Sequence, residues 1–194
     1  MVFNAFKNVI AWLARLTPNS LVPKLGEKLT GGRIAAPDWA EFYLFGRFLF
    51  ALALATTLPK SRLFVAMILV IQCSSIIYLL KIVFPVGARG LKDASRSLFF
   101  AFGHYLEIGF SMGYIYWYLN AFTQTSTSKA PISLPESVYF SFITMTTIGF
   151  GDITPNTDLA RFVVTVHAIV ALFMLATVIG LFLSLSTAGD GRSE

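Results

Sequence analysis

Charged side chains are scarce in this sequence, since Asp, Glu, Lys and Arg together make up 13% of its 194 residues. A soluble domain averages about a quarter charged residues, so the composition argues against an ordinary soluble protein. Cysteine is scarcer still, because Cys73 has no second cysteine with which to form an intrachain disulfide. We expect Cys73 to be a small, buried, apolar side chain. The sequence also offers no nucleophile–base or metal-ligand constellation, which disfavours an enzyme.

The sequence contains long apolar runs, and its mean hydropathy is +0.70. A helix of about 20 residues rises 1.5 Å per residue and so crosses the roughly 30 Å hydrocarbon core of a bilayer. Four runs approach or exceed that length, which predicts an all-α membrane protein with four transmembrane helices. The predicted helices cover residues 39–57, 63–83, 98–122 and 159–185.

The net charge of +5 is distributed in a way that favours a membrane over a nucleic acid as partner. Lys and Arg gather in cytoplasmic loops of membrane proteins. Here they concentrate before the first run, in the connection between runs two and three, and in the tail. We therefore expect both termini and the 85–97 loop in the cytoplasm, in an integral protein of the cell membrane, plasma or bacterial inner.

The segments around the runs complete the predicted organisation. Residues 1–38 form a cytoplasmic N-terminal segment, in which apolar positions recur at helical spacing over residues 1–16. That spacing predicts an amphipathic helix in the membrane interface, with packing against other protein as the alternative. Residues 17–38 are rich in Pro and Gly and predict a loop. Residues 39–84 form a transmembrane hairpin with a turn at 59–62, and 188–194 are a cytoplasmic tail.

Residues 144–152, TMTTIGFGD, interrupt the apolar pattern between runs three and four. Before them, residues 135–146 predict a helix, because Pro135 suits its first turn and Glu136 suits its positive end. Twelve residues are too few to span a bilayer. The helix must therefore re-enter the membrane and return by a non-helical route, which is tolerated only inside protein or beside water.

Glycine gives this non-helical stretch its predicted chemistry. Gly149 and Gly151 adopt positive φ at little cost, so successive carbonyls of residues 147–151 can point the same way. Aligned carbonyls can replace the water shell of a dehydrated cation. Thr147 would add a hydroxyl at the inner end. Asp152 would lie at the outer mouth, where it attracts cations or anchors the segment by hydrogen bonds.

The TTIGFGD motif after a short, Pro-started helix resembles the signature of tetrameric potassium channels, in the pore-loop cation channel superfamily. The resemblance covers residues 98–187 and continues as Asp152-x-x-Pro155 and Arg161. It implies a pore module of outer helix 98–122, pore helix 135–146, selectivity filter 147–151 and inner helix 159–185. It also implies a homotetramer, since each chain carries one filter segment. The resemblance places K⁺ ions at Thr147, Ile148, Gly149 and Phe150, and Gly151 completes the filter.

The sequence differs from that family at three features that affect gating rather than conduction. Residues 63–83 lack the ladder of Arg or Lys that a voltage sensor needs. Ala171 stands where many members have a hinge glycine, which leaves Gly180 as a candidate hinge or as a site of close helix packing. Ile143 stands where some members carry an acidic residue behind the filter, so inactivation that depends on such a carboxylate is not expected.

Ionisable residues inside predicted spans are functional candidates by default. His104 and Glu107 lie three residues apart on one helix face. These two and His167 are candidates for a pH-sensitive contact, with a static hydrogen-bonded role as the alternative. Arg47 either pairs with a lipid headgroup or an acidic residue, Glu41 or Glu107, or extends to the interface.

The function that follows is passive, potassium-selective conduction, with lipid and three further copies of the chain as partners. It requires no cofactor beyond the permeant K⁺ ions and no small-molecule substrate. A non-selective cation channel of the same fold and a non-conducting regulatory subunit are the alternatives.

Overall fold

The computed structural model describes residues 2–54, 59–83, 91–125 and 131–190. They are mostly helical, as the sequence predicts for an all-α protein. The helices and strands, in chain order, are α1 (Val2–Leu16), α2 (Pro18–Leu29), α3 (Ala36–Leu54), α4 (Arg62–Val83), α5 (Leu91–Leu119), β1 (Phe122–Gln124), α6 (Leu134–Met145), β2 (Ile153–Pro155) and α7 (Asp158–Asp190). Helices α3, α4, α5 and α7 occupy the four apolar runs. The predicted 85–97 loop is wrong for residues 91–97, which belong to α5, and its residues 85–90 lie outside the described part of the chain.

The prediction of a loop over residues 17–38 is wrong for most of its length, because Pro18–Leu29 form α2. Pro18 lies in the first turn, where its missing N–H costs nothing. Pro23 lies inside the helix but is buried, as is Gly26. A Cβ on Gly26 would come within 2.5 Å of the Trp39 ring. Tertiary packing against α3 therefore overrides the weak helix propensity of these residues.

The chain divides into two compact units. The first contains residues 1–47, 69–104 and 176–194. Within it α5 packs closely on α3, since a Cβ on Gly103 would lie 2.9 Å from Leu44 Cδ2. The expectation that Cys73 is buried is wrong, because its side chain on α4 is exposed.

The second unit contains residues 48–68 and 105–175, and its core surrounds the short helix α6. Tyr116 of α5, Phe122 of β1 and Phe140 of α6 stack with ring centroids 4.9 to 5.3 Å apart. Ile143 and Ile153 are buried in the same cluster. Aromatic packing thus fixes α6 between α5 and the β1–β2 pair.

One helical segment among the described residues is long and apolar enough to cross a membrane. It is Asp158–Leu183 of α7, with 26 residues and a mean hydropathy of 2.5. Arg62–Tyr78 of α4 is a shorter apolar stretch. The set of four spans stays a prediction.

Gly113 sets the distance between α5 and α6. A Cβ at Gly113 would lie 2.7 Å from the Val138 Cα, a backbone atom that cannot move aside alone. We expect Gly113→Ala to lower the free energy of unfolding by about 1–3 kcal/mol, as overpacking does elsewhere. The measurement is the thermal unfolding midpoint of the detergent-solubilised protein.

Gly46→Ala on α3 is the matched control, because a Cβ there meets no atom within 4 Å. It should leave the midpoint unchanged or raise it slightly. Equal midpoints for Gly113→Ala and the wild type would contradict the close α5–α6 contact.

Candidate functional site

Helix α6 begins with a capping box formed by Ser133 and Glu136. The Ser133 side chain accepts a hydrogen bond from the Glu136 N–H at 3.4 Å, and the Ser133 N–H donates to Glu136 Oε2 at 2.6 Å. Pro135 lies in the first turn. These contacts satisfy N–H groups that a helix start otherwise leaves without partners, so the position of α6 along the chain is well defined.

Helix α6 ends in a Schellman arrangement whose left-handed residue is a threonine. The Ile148 N–H donates to the Ile143 carbonyl at 3.0 Å, and the Thr147 N–H donates to the Thr144 carbonyl at 3.1 Å. Thr147 is the first residue after the C-cap Thr146, and its φ is 60°. Glycine usually occupies this position because a Cβ there costs roughly 1–2 kcal/mol. Local strain is therefore stored at the first residue of the predicted filter.

The backbone of residues 147–151 alternates in handedness. Thr147, Gly149 and Gly151 have φ of 60°, 55° and 74°, while Ile148 and Phe150 between them do not have positive φ. Alternation of this kind turns successive peptide groups so that like groups share one side of the chain. A Cβ on Gly149 or Gly151 would meet no atom within 4 Å in the single chain. The glycines are therefore required by conformation rather than by space.

The five residues are also uncovered. Thr146 to Gly151 are all exposed, and Ile148 and Phe150 expose 55% and 68% of their surface. In a strand whose carbonyls share one side, these two side chains would lie on the opposite side and brace the strand. The described part of the single chain supplies no surface for them to brace against. Adjacent exposed apolar side chains are typical of an interface.

Asp152, after the last glycine, is hydrogen-bonded to α6. Tyr139 Oη donates to Asp152 Oδ2 at 2.8 Å. This hydrogen bond is the main reason that the pKa of Tyr139 is raised, and slight burial and the carboxylate charge act in the same direction. The Asp152 Oδ1 atom is buried without a partner among the described residues. Of the two roles predicted for Asp152, the geometry favours anchoring.

The role of Tyr139 and a second brace at the end of the segment were not predicted from the sequence. Strand β1 pairs antiparallel with β2, with Phe122 opposite Pro155 and Gln124 opposite Ile153. Just beyond β1, the Thr125 N–H donates to the Asp152 carbonyl at 2.8 Å, and Thr125 Oγ1 donates to the Gly151 carbonyl at 3.1 Å. Strands of three residues carry too little periodicity to be predicted. Tyr139 had a usable signal, since it lies one helical turn before Ile143.

His167 on α7 is buried beside Tyr116 on α5. Its Nδ1 lies 2.6 Å from Tyr116 Oη, and the two rings are 5.7 Å apart. His167 Nε2 is buried without a hydrogen-bond partner among the described residues. Tyr116 belongs to the aromatic core that holds α6. His167 therefore contacts the core on which α6, directly before residues 147–151, is packed.

Two further candidate residues, His104 and Arg47, are buried in the first unit. His104 Nδ1 lies 3.3 Å from Ser75 Oγ. Arg47 is 5% exposed and donates to Ser75 Oγ at 2.6 Å, to the Ile71 carbonyl at 3.2 Å and to Asn19 Oδ1. The interpretation of Arg47 as a side chain that extends to the interface is therefore wrong.

The structure also locates the other acidic candidates, Glu41 and Glu107, and the candidate hinge Gly180. Glu41 forms its ion pair with Arg96, at 2.6 Å, and the pKa of Arg96 is raised chiefly by that hydrogen bond. Glu107 is 1% exposed. Gly180 is exposed on α7, and a Cβ there would meet no atom within 4 Å, so it makes no close helix contact with the described part of the chain. Its role as a hinge stays a prediction.

The described residues offer oxygen atoms, rather than a cluster of His, Cys, Asp and Glu side chains, for a cation. No three such side chains lie close enough together in the described ranges to hold a metal. Backbone carbonyls of residues 147–151 and the Thr147 hydroxyl are hard oxygen donors suited to an alkali cation.

Residues 110–188 match a family model described as an ion channel. The match spans the end of α5, the β1–β2 pair, α6, residues 147–151 and nearly all of α7. This part of the chain, which carries the candidate site, is therefore similar to ion channels. No curated protein and no solved structure matches the chain.

The strain at Thr147 gives opposite expectations for two neighbouring threonines. Thr147→Gly should raise the free energy of unfolding by about 1 kcal/mol, because glycine occupies positive φ without the Cβ penalty. Thr146 has a φ of –82° and donates its hydroxyl to the Phe142 carbonyl at 2.8 Å. Thr146→Gly should therefore lower stability, by about 0.5–1 kcal/mol from backbone entropy alone.

Thermal unfolding of both variants without K⁺ is the measurement, since a bound ion would add to the stability. A lower midpoint for Thr147→Gly than for the wild type would mean that Thr147 is not strained.

Proposed function

We propose that this chain is one subunit of a homotetrameric, potassium-selective channel, and that residues 147–151 form its selectivity filter. The observation that carries the proposal is the alternation of φ at Thr147, Gly149 and Gly151 directly after a helix of 12 residues. An ordinary loop has no need of such alternation. A row of carbonyls on one side of a strand does need it.

The proposed mechanism is exchange of water for carbonyl oxygens. K⁺ binds in turn between the carbonyls of Thr147, Ile148, Gly149, Phe150 and Gly151, with the Thr147 hydroxyl at the inner end. Each site replaces part of the hydration shell, and neighbouring ions weaken one another's binding so that they leave. Helix α6 directs its C-terminal, negative dipole end towards the start of this row, which favours a cation there.

Four copies are proposed because one strand of carbonyls cannot surround an ion. The exposed side chains of Ile148 and Phe150 support this, since neighbouring subunits would cover them. Helix α7 supports it as well, with a series of exposed apolar residues at helical spacing, Leu159, Phe162, Val166, Ile169 and Leu172. Such a face suits a helix that contacts other subunits and lipid.

We propose that two elements of the same subunit hold the filter on the side away from the ion pathway. Tyr139 on α6 anchors Asp152 from one side, and Thr125 after β1 binds the Gly151 and Asp152 carbonyls from the other. Ile143 is buried in the apolar core where other channels carry a carboxylate. Hydrogen bonds from Tyr139 and Thr125 would thus maintain the filter without that group.

The membrane arrangement proposed with this function has four spanning helices, α3, α4, α5 and α7, with both termini cytoplasmic. The membrane is the plasma membrane or a bacterial inner membrane. Basic residues cluster before α3 and near the start of α5, which supports this orientation.

Purified protein in planar bilayers tests selectivity directly. We expect a reversal potential that follows the K⁺ gradient, and block by Ba²⁺. Gly149→Ala and Gly151→Ala should abolish selectivity or current, because alanine strains φ values of 55° and 74°. Gly46→Ala is the control with the same change outside the filter, and it should conduct as the wild type does.

Each alternative has its own outcome in this experiment. Equal permeation of Na⁺ would indicate a non-selective cation channel. A tetramer without current would indicate a non-conducting subunit. Selective current through Gly149→Ala and Gly151→Ala would remove these residues from the mechanism.

We also propose that His167 makes the current pH-sensitive through its contact with Tyr116. Protonation would place a positive charge in a buried, mainly aromatic environment and weaken the packing behind α6. Because burial disfavours the charged imidazole, we expect the wild-type current to stay constant on mild acidification and to fall only at strongly acidic pH, where the current of His167→Gln should change less. The same recording with His104→Gln tests the second candidate. Identical pH profiles for the wild type and both variants would leave the histidines with a static role.

A further inference from the structure

Helices α1 and α2 each have one face that is packed on the rest of the first unit. Ile10, Ala14 and Thr17 are buried on α1 or at its end, and Pro23 and Gly26 are buried on α2. These contacts are close, since the Trp39 ring leaves no room for a Cβ on Gly26. The orientation of both helices about their own axes is therefore fixed, and so is the direction of their other faces.

Each helix also exposes an apolar face. The exposed residues of this face are Val9, Trp12, Leu13 and Leu16 on α1, and Leu21, Val22, Leu25 and Leu29 on α2. We call these eight residues the N-terminal apolar face. Trp12 and Leu29 expose 59% and 78% of their surface. Apolar side chains of this size, gathered on two adjacent helices, are typical of an interaction site rather than of a solvated surface.

Exposed cations border the N-terminal apolar face on both helices. Arg15 on α1 and Lys24 and Lys28 on α2 are exposed. With 3.6 residues per turn, each lies roughly 80–120° around its helix axis from the middle of the apolar face. Glu27 is the one acidic residue in residues 2–29, and it is half-buried. The exposed charge beside the apolar face is therefore positive.

We infer that α1 and α2 together form a docking surface for the anionic lipids of a membrane. The apolar face enters the boundary between headgroups and acyl chains, and Arg15, Lys24 and Lys28 contact the phosphates beside it. The charge complementarity selects an anionic bilayer over a second copy of the chain, because two copies would bring like charges together. This surface is independent of the proposed ion pathway.

The surface is also linked to the buried Arg47. Asn19 of α2 accepts a hydrogen bond from Arg47 and donates to the Ser74 carbonyl at 3.4 Å. Helix α2 is thus hydrogen-bonded to both α3 and α4, so a lipid that holds α2 also acts on the helices that carry Arg47 and Ser74.

Hydrogen–deuterium exchange of the full-length protein in nanodiscs tests this docking. Exchange is compared between phosphatidylcholine alone and an equal mixture of phosphatidylcholine and phosphatidylglycerol. We expect the backbone amides of residues 7–29 to exchange more slowly in the anionic mixture. In Arg15→Gln/Lys24→Gln/Lys28→Gln this difference should disappear, because each cation near the surface strengthens binding roughly fivefold.

Two further variants separate charge from apolar contact. Arg15→Lys/Lys24→Arg/Lys28→Arg keeps the charges and should retain the full response to anionic lipid. Leu16→Gln/Leu25→Gln should exchange faster in both lipid compositions. Equal exchange of the wild type in both lipids would overturn the inference. So would protection that depends on oligomeric state and not on lipid, since this would assign the face to a second copy.

Discussion

The handedness of the backbone at residues 147–151 is the constraint on which the other features of this region depend. Glycine samples both signs of φ and threonine prefers negative φ, so a single alternating arrangement persists only where the chain is held at both ends. The capping box and the Schellman end of α6 hold one end. Tyr139, Thr125 and the β1–β2 pair hold the other. The aromatic core of Tyr116, Phe122 and Phe140 joins the two supports.

Features that depend on local residue type could be predicted from the sequence more accurately than features that depend on contacts made in the folded chain. Helix α6 was predictable almost to the residue, because Pro135 and Glu136 mark its start and the glycines follow its end. Glycine at positions 149 and 151 permits the positive φ that the structure has there, so these two residues could be singled out from the sequence. The positive φ of Thr147 could not be predicted in this way, because threonine does not prefer it. It results from the hydrogen bonds that end α6.

Features that depend on tertiary contacts were the ones that sequence reasoning missed. Helix α2 contains two prolines and a glycine and forms because Pro23 and Gly26 pack on the protein. Arg47 is buried rather than extended because Ser75 and the Ile71 carbonyl, 24 or more residues away in sequence, satisfy its guanidinium. Cys73 is exposed although it lies in an apolar run, because an apolar run in a membrane protein does not distinguish a face towards lipid from a face towards protein.

The antiparallel pairing of β1 and β2 also fixes the chain just before the connection that leads to α6. Thr125 is bound to the Gly151 and Asp152 carbonyls, Ile132 is buried in the core of the second unit, and Ser133 is bound to Glu136, so the chain is held at Thr125 and again from Ile132 onwards. Lengthening a connection between fixed ends costs only about 0.6 kcal/mol per doubling. An epitope or a fluorescent label inserted between Thr125 and Pro131 would therefore leave the backbone geometry of residues 147–151 unchanged, and in the proposed orientation it would be accessible from outside the cell.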